Sequence, residues 1–254
     1  MLKLNWAAAA LAAALLTAGS VCPRAEPLNP APRGESLTEI VSFGSKRVPR
    51  WLVDTISRAA QLTSMDATYM LALADEESSF SFRVKAKTST AVGLYQFLEG
   101  TWLEVLNEHA AKHGYGAAAD AITVVAGKPV VTDPANSQWI LSLREDPFLS
   151  ALMACEMVKK SRDRLTRERD RALTDGELYL THLLGSAGAS RLLKLVAEKP
   201  QESAPRAFQA AAKANKNLFY VVEQKQRKEA TVAEVHARIS AMMEGRVTQY
   251  ASAN

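Results

Sequence analysis

Aromatic residues are scarce in this chain, at 7% of its 254 positions, and it holds only two cysteines. Thiols as far apart as Cys22 and Cys155 make neither a disulfide framework nor a metal cluster. Cys155 lies in the apolar run SALMACEMV, which predicts a buried free thiol. After the first twenty residues no segment is long and apolar enough to span a bilayer. Internal repeats, a phosphate-binding glycine loop, zinc-ligand spacing and a Ser-His-Asp order are all missing. The basic residues are mixed with acids and lack aromatic interleaving, which argues against a nucleic-acid partner. No cofactor or metal is expected.

What is present is an ordinary globular balance of 48% hydrophobic and 23% charged residues, with apolar positions spaced mostly for helices. The opening MLKLNWAAAALAAALLTAGS reads as a secretory signal over residues 1–20, so export and a soluble mature protein are expected; a retained signal anchor is the alternative. Cys22 follows Val21 rather than a small residue, a weak pattern for lipid attachment. A proline-rich linker is predicted over 21–37, one folded domain over 38–247 and a frayed tail over 248–254. Losing residues 1–20 removes Lys3 and no acid, which takes the net charge from +4 to +3. That modest excess suits an anionic polymer or surface without specifying one.

Helices are predicted in PRWLVDTISRAAQL, in TSMDATYMLALADEES with Ser64 as N-cap, and in GTWLEVLNEHAAKHG with a Thr101–Glu104 capping box closed by Gly114. The valine pairs around Gly127-Lys128-Pro129 predict a small β-hairpin or an extended loop. Helices resume from residue 134, and the C-terminal half reads as all-helical, with a stop near Gly185.

The stretch ADEESSFSFRVKAKTSTAVGLYQF carries the chemistry. On a helix over 66–78, Tyr69 or Met70, Leu73 and Glu77 share one stripe. Burial and the negative helix end would raise the pKa of an acid there, keeping it protonated for donation to a leaving oxygen. Glu76 points about a third of a turn away, and spacing alone leaves the choice between the two open. Downstream, Phe80 can pin the chain to the core, and Gly93 permits close backbone approach. Tyr95 offers a ring face, and Gln96 offers a donor and an acceptor to a sugar.

ESSF at 77–80, GLYQF at 93–97 and Thr101 resemble the soluble lytic transglycosylase family, with its Glu-Ser pair, Gly-Leu-Met-Gln string and helix-opening threonine. TAVGLYQFLEGTWLEVLNEHAAKHGYG, LREDP at 143–147 and DGELYLTHLLGSAGASRLL at 175–193 are similar to a proteobacterial single-domain branch. The likeness covers roughly residues 50–240. It implies a mainly α, lysozyme-like fold of the goose-lysozyme type, acting in the periplasm on peptidoglycan glycan strands as a monomer. It places the catalytic acid/base on Glu77 and substrate contacts on Ser78, Gly93, Tyr95 and Gln96. In such enzymes one glutamic acid protonates the bridging oxygen and then deprotonates the C6 hydroxyl, which closes a 1,6-anhydro ring. Here Tyr95 replaces the family methionine. LTHLLGSAG stands where many members have Ala-Tyr-Asn-Ala-Gly, bringing His182 near the usual tyrosine and Leu183 to the usual asparagine.

His182 joins the site candidates on that basis, and Tyr179, Phe219 and Tyr220 join them as rings for a sugar face. Arg83, Lys85 and Lys87 are candidates for the peptide stems or phosphate polymers of the wall. Two alternatives remain at this point. One is a hydrolytic muramidase, which needs a second carboxylate such as Glu99 or Asp146. The other is a wall-binding assembly factor whose partners belong to a flagellum or secretion apparatus.

Overall fold

The computed structural model describes residues 38–87, 89–223 and 226–251, in which helices dominate and three short antiparallel hairpins decorate them. The predicted signal, the linker over 21–37, Cys22 and residues 252–254 lie outside the described residues.

Strands β1 (Ile40–Phe43) and β2 (Lys46–Pro49) form a hairpin that buries Phe43 and Val48. Helix α1 (Arg50–Thr63) follows at once and buries Leu52, Ile56, Ala59 and Ala60. Ser64 ends α1 in the left-handed region instead of capping the next helix. Helix α2 (Ala67–Ser78) is capped by Asp66, whose carboxylate accepts from the Tyr69 N–H at 2.9 Å. Helix α3 (Glu99–His109) starts two residues before Thr101, so Thr101 and Glu104 lie in its body and make no capping box. Its buried Trp102 donates from the indole to the Ile140 carbonyl at 2.8 Å, which ties α3 to a later helix. Gly114 closes a 3-10 turn, Ala111–His113, that prolongs α3.

After α4 (Gly116–Asp120), strands β3 (Thr123–Val125) and β4 (Lys128–Val130) form the expected hairpin. Its two turn residues, Ala126 and Gly127, both have positive φ, as a two-residue turn matched to strand twist requires. Helix α5 (Pro134–Ser142) precedes α6 (Pro147–Arg169), which is buried without a break from Phe148 to Glu156 and forms the axis of the core. Cys155 is free and buried there, and burial first of all pushes its thiol up to about 12, so it is inert near neutral pH. Helix α7 (Asp175–Glu198) opens with a Thr174–Glu177 capping box and breaks at Gly185, whose backbone (φ 69, ψ 163) is one only glycine adopts readily.

The C-terminal half departs from the all-helical expectation. Helices α8 (Ala204–Ala207), α9 (Gln209–Ala214) and α10 (Lys216–Phe219) are short, and β5 (Tyr220–Glu223) pairs with β6 (Gln226–Glu229). The β-forming Tyr220, Val221 and Val222 outweigh the helical pattern around them. Helix α11 (Val232–Ala251) runs beyond the predicted frayed boundary, because Met243 and Tyr250 continue its buried face. It packs along α7 and also reaches α2, while α1 packs along α6.

Gly176 lets α7 and α11 approach: a Cβ at this position would stand 2.5 Å from the Ser240 Cα. Gly176→Ala therefore destabilises the protein by about 1–3 kcal/mol, since the clash exceeds the roughly 1 kcal/mol that alanine gains in helix propensity. Urea unfolding of both proteins checks the sign.

Candidate active site at the end of α2

The last turn of α2 sends four consecutive side chains in four directions, because successive helical residues are about 100° apart. Asp75 is buried, accepting from Lys46 Nζ and Arg246 Nη1, each at 2.5 Å. Glu76 pairs with Nη2 of the same arginine. Glu77 turns the other way, and its Oε1 lies 2.9 Å from Nε2 of His182 on α7. Ser78 donates from Oγ to the Leu94 carbonyl at 2.8 Å, across sixteen residues. The two adjacent glutamates are thus distinguished: Glu76 is bound into the α2–α11 contact, and Glu77 faces α7. Ser79 and Phe80 then turn the chain with positive φ, and Phe80 sets its ring edge-on to Tyr250 at 5.7 Å.

The connection from α2 to α3 is held as tightly as the helices. Gly93, at φ +87, is the point where the loop touches the chain before α6: a Cβ there would stand 2.1 Å from the Arg144 carbonyl oxygen. The buried Arg144 guanidinium returns to the loop, donating to Thr90 O at 2.7 Å and Phe97 O at 3.3 Å. Gln96, also at positive φ, donates its amide to Gly93 O at 2.9 Å and Val84 O at 3.2 Å. The Tyr95 ring is buried, with its hydroxyl bonded to Met70 O at 3.1 Å on α2.

These elements wall a groove of about 410 Å³. Tyr95, Gln96 and Leu98 come from the loop, Thr101 and Glu104 from α3, Met157, Lys160 and Arg164 from α6, and His182 with Gly185 from α7. Glu77 does not itself line it; its carboxylate meets the groove through His182. The two side chains are 13% and 22% exposed, so water reaches the pair from a limited side. His182 is stacked on the buried Tyr179, with centroids 5.9 Å apart and planes at 20°. Burial lowers the imidazole pKa, but the hydrogen bond to Glu77 and its charge outweigh that and leave His182 above its ordinary value. Burial, then the charges of Glu77 and Glu76, push the Tyr179 hydroxyl upward and keep it protonated. The sequence predicts a lone acid on an apolar stripe; the structure has an acid–imidazole pair.

The structure therefore joins Glu77, Tyr95, Gln96 and His182 at one place, and gives Ser78 and Gly93 the job of holding the loop. Tyr179 supports His182 from behind. Phe219 is fully buried, and Tyr220 lines a separate surface cavity with Lys213, Lys216 and Arg227. Asp146 caps α6 by accepting from Leu149 N at 2.8 Å, and neither it nor Glu99 lines the groove. Among the basic loop residues, Lys85 pairs with Glu145 at 3.1 Å and Arg83 lies over the Phe82 ring at 5.3 Å. Sequence reasoning missed Glu104, Arg144 and Arg246. The spacing of Met243, Val247 and Tyr250 carries the helix past Arg246 and is the signal that would have found it.

Among the described residues, no group of three His, Cys, Asp or Glu side chains is arranged to hold a metal ion, and no helix is long and apolar enough to cross a membrane. A scan against protein-family models finds none that matches this chain.

A histidine whose folded pKa is raised contributes stability below its unfolded value of about 6.5, and that contribution is lost as pH rises through the higher folded value. His182→Gln should then cost about 1–2 kcal/mol at pH 6 and distinctly less at pH 9. Denaturant titrations of both proteins at the two pH values measure the difference.

Proposed function

We propose that this chain is an exported peptidoglycan lytic transglycosylase of lysozyme-like fold, acting in the periplasm on the bond from N-acetylmuramic acid to N-acetylglucosamine. One observation supports the reading above the rest: Glu77, singled out by the family resemblance, leaves the end of α2 and bonds at 2.9 Å to His182 on the wall of a groove that also presents Gln96. Glu76, its neighbour, is already committed to Arg246.

The chemistry follows from one proton. A glycan strand in the groove brings its bridging oxygen to the pair, and Glu77 gives that oxygen a proton as the C1–O bond breaks. The sugar's acetamido group stabilises the positive charge developing at C1. Glu77, now a carboxylate, takes the proton of the C6 hydroxyl while O6 bonds to C1. One C–O bond is broken, one is formed, the proton returns to Glu77, and no water enters. His182 fixes the direction of the carboxylate through their 2.9 Å contact. Leu98 and Met157 supply apolar surface for the strand.

A second reading has its own support. Glu104 is a carboxylate on the groove wall, and a second carboxylate to serve as base is what hydrolysis with water requires. Mass spectrometry of digested wall separates the two, since transglycosylation leaves 1,6-anhydro ends and hydrolysis leaves reducing ends. Glu77→Gln lowers release of anhydro products by roughly a hundredfold or more with unfolding behaviour retained, and Glu104→Gln leaves release within about twofold. Reducing ends that vanish in Glu104→Gln would establish the hydrolytic reading instead.

A further inference from the structure

We infer that Arg246, on the last turns of α11, is a positioning residue for Glu77: its guanidinium fork fixes the direction and the local charge of the helix end that carries the acid. The inference rests on the function proposed above. The geometry is a two-pronged contact, with Nη1 on Asp75 Oδ2 at 2.5 Å and Nη2 on Glu76. Both carboxylates immediately precede Glu77, so one planar group sets the pitch of the final turn. Asp75 is the deeper anchor. Its side chain has no exposure, and its second oxygen is held by Lys46 from β2.

The rest of α11's end is fastened to the same place. Gln249 donates to Phe43 O at 2.8 Å, and the Tyr250 ring packs on Phe43 and Phe80. A bend in α11 would therefore be felt at the turn where the loop to the groove begins. The electrical effect reaches further. Three carboxylates in a row stand at the negative end of α2, and Arg246 and Lys46 offset two of them. The charge of Arg246 is felt at Tyr179, the ring on which His182 is stacked, and it opposes the charges of Glu76 and Glu77 there. The charged and titratable groups around the acid are then Asp75, Glu76 and Tyr69 on α2, Tyr179 and His182 on α7, Arg246 and Tyr250 on α11, and Lys46 on β2.

The test joins a titration to an activity. The imidazole of His182 is followed by NMR across pH in the full chain, and anhydro-product release from purified wall is measured alongside. In Arg246→Gln the cation on Asp75 and Glu76, the two carboxylates preceding Glu77, is lost, so the His182 midpoint moves to higher pH and release falls roughly tenfold to a hundredfold. Arg246→Lys keeps the charge but not the fork, so the midpoint stays near its original value while release falls. Glu76→Gln removes an anion, so the midpoint moves to lower pH. Should Arg246→Gln fail to fold, the unmoved midpoint with reduced release in Arg246→Lys and the lowered midpoint in Glu76→Gln still decide. An active parent protein with full release and an unmoved His182 midpoint in folded Arg246→Gln, or with unmoved midpoint in Glu76→Gln, overturns the positioning role. A parent protein that releases no anhydro product overturns the function proposed above instead, and the titration arm still reports whether Arg246 is coupled to the pair.

Discussion

A fully buried carboxylate, Asp75, organises the end of α2 on which the rest depends. A charge with no access to water is tolerated only with good partners, and Asp75 has Lys46 and Arg246, one on each oxygen. Those partners come from the first hairpin and the last helix, so the two ends of the described chain are fastened to one side chain. Without either partner Asp75 would be an uncompensated buried charge, a situation that costs about 3–5 kcal/mol in comparable pairs. The same fastening commits Glu76 and leaves Glu77 free to face α7.

From that turn the site is built outward by backbone contacts more than by side-chain chemistry. Ser78 hooks the Leu94 carbonyl, Gly93 lies against the Arg144 carbonyl, and Arg144 holds the carbonyls of Thr90 and Phe97. Gln96 spends its amide protons inside the loop, which leaves its carbonyl oxygen as the group free to meet a ligand. Across the groove, the break of α7 at Gly185 follows His182 by less than one turn. The pair of Glu77 and His182 thus bridges two rigid helices at a point where both are interrupted, where a side chain can face a groove instead of a neighbouring helix.

Much of this was legible beforehand because it rests on periodicity. The helices α1 and α6, the presence of a β3–β4 hairpin near Gly127, the buried Cys155 and the stop near Gly185 all follow from local pattern, although the turn falls at Ala126-Gly127 and Lys128 and Pro129 belong to β4. The two other hairpins were not legible, since four-residue strands are too short for alternation to stand out from a helical background. Cap residues were misplaced by a few positions: Ser64 and Asp66 both suit a helix start, and only the left-handed turn at Ser64 decides between them. At the site, Glu77 and Gln96 could be named from their motif. The Glu77–His182 bond, the Arg144 clamp and the Arg246 fork could not, since each joins residues far apart in sequence.

The account stands on the claim that the Glu77 and His182 pair moves a proton without admitting water to the cleaved bond. Digestion of purified peptidoglycan in water enriched with oxygen-18 tests it most directly. The account predicts new sugar ends that are 1,6-anhydro and carry no heavy oxygen at C1. New ends that are reducing and carry the heavy isotope at C1 would contradict it.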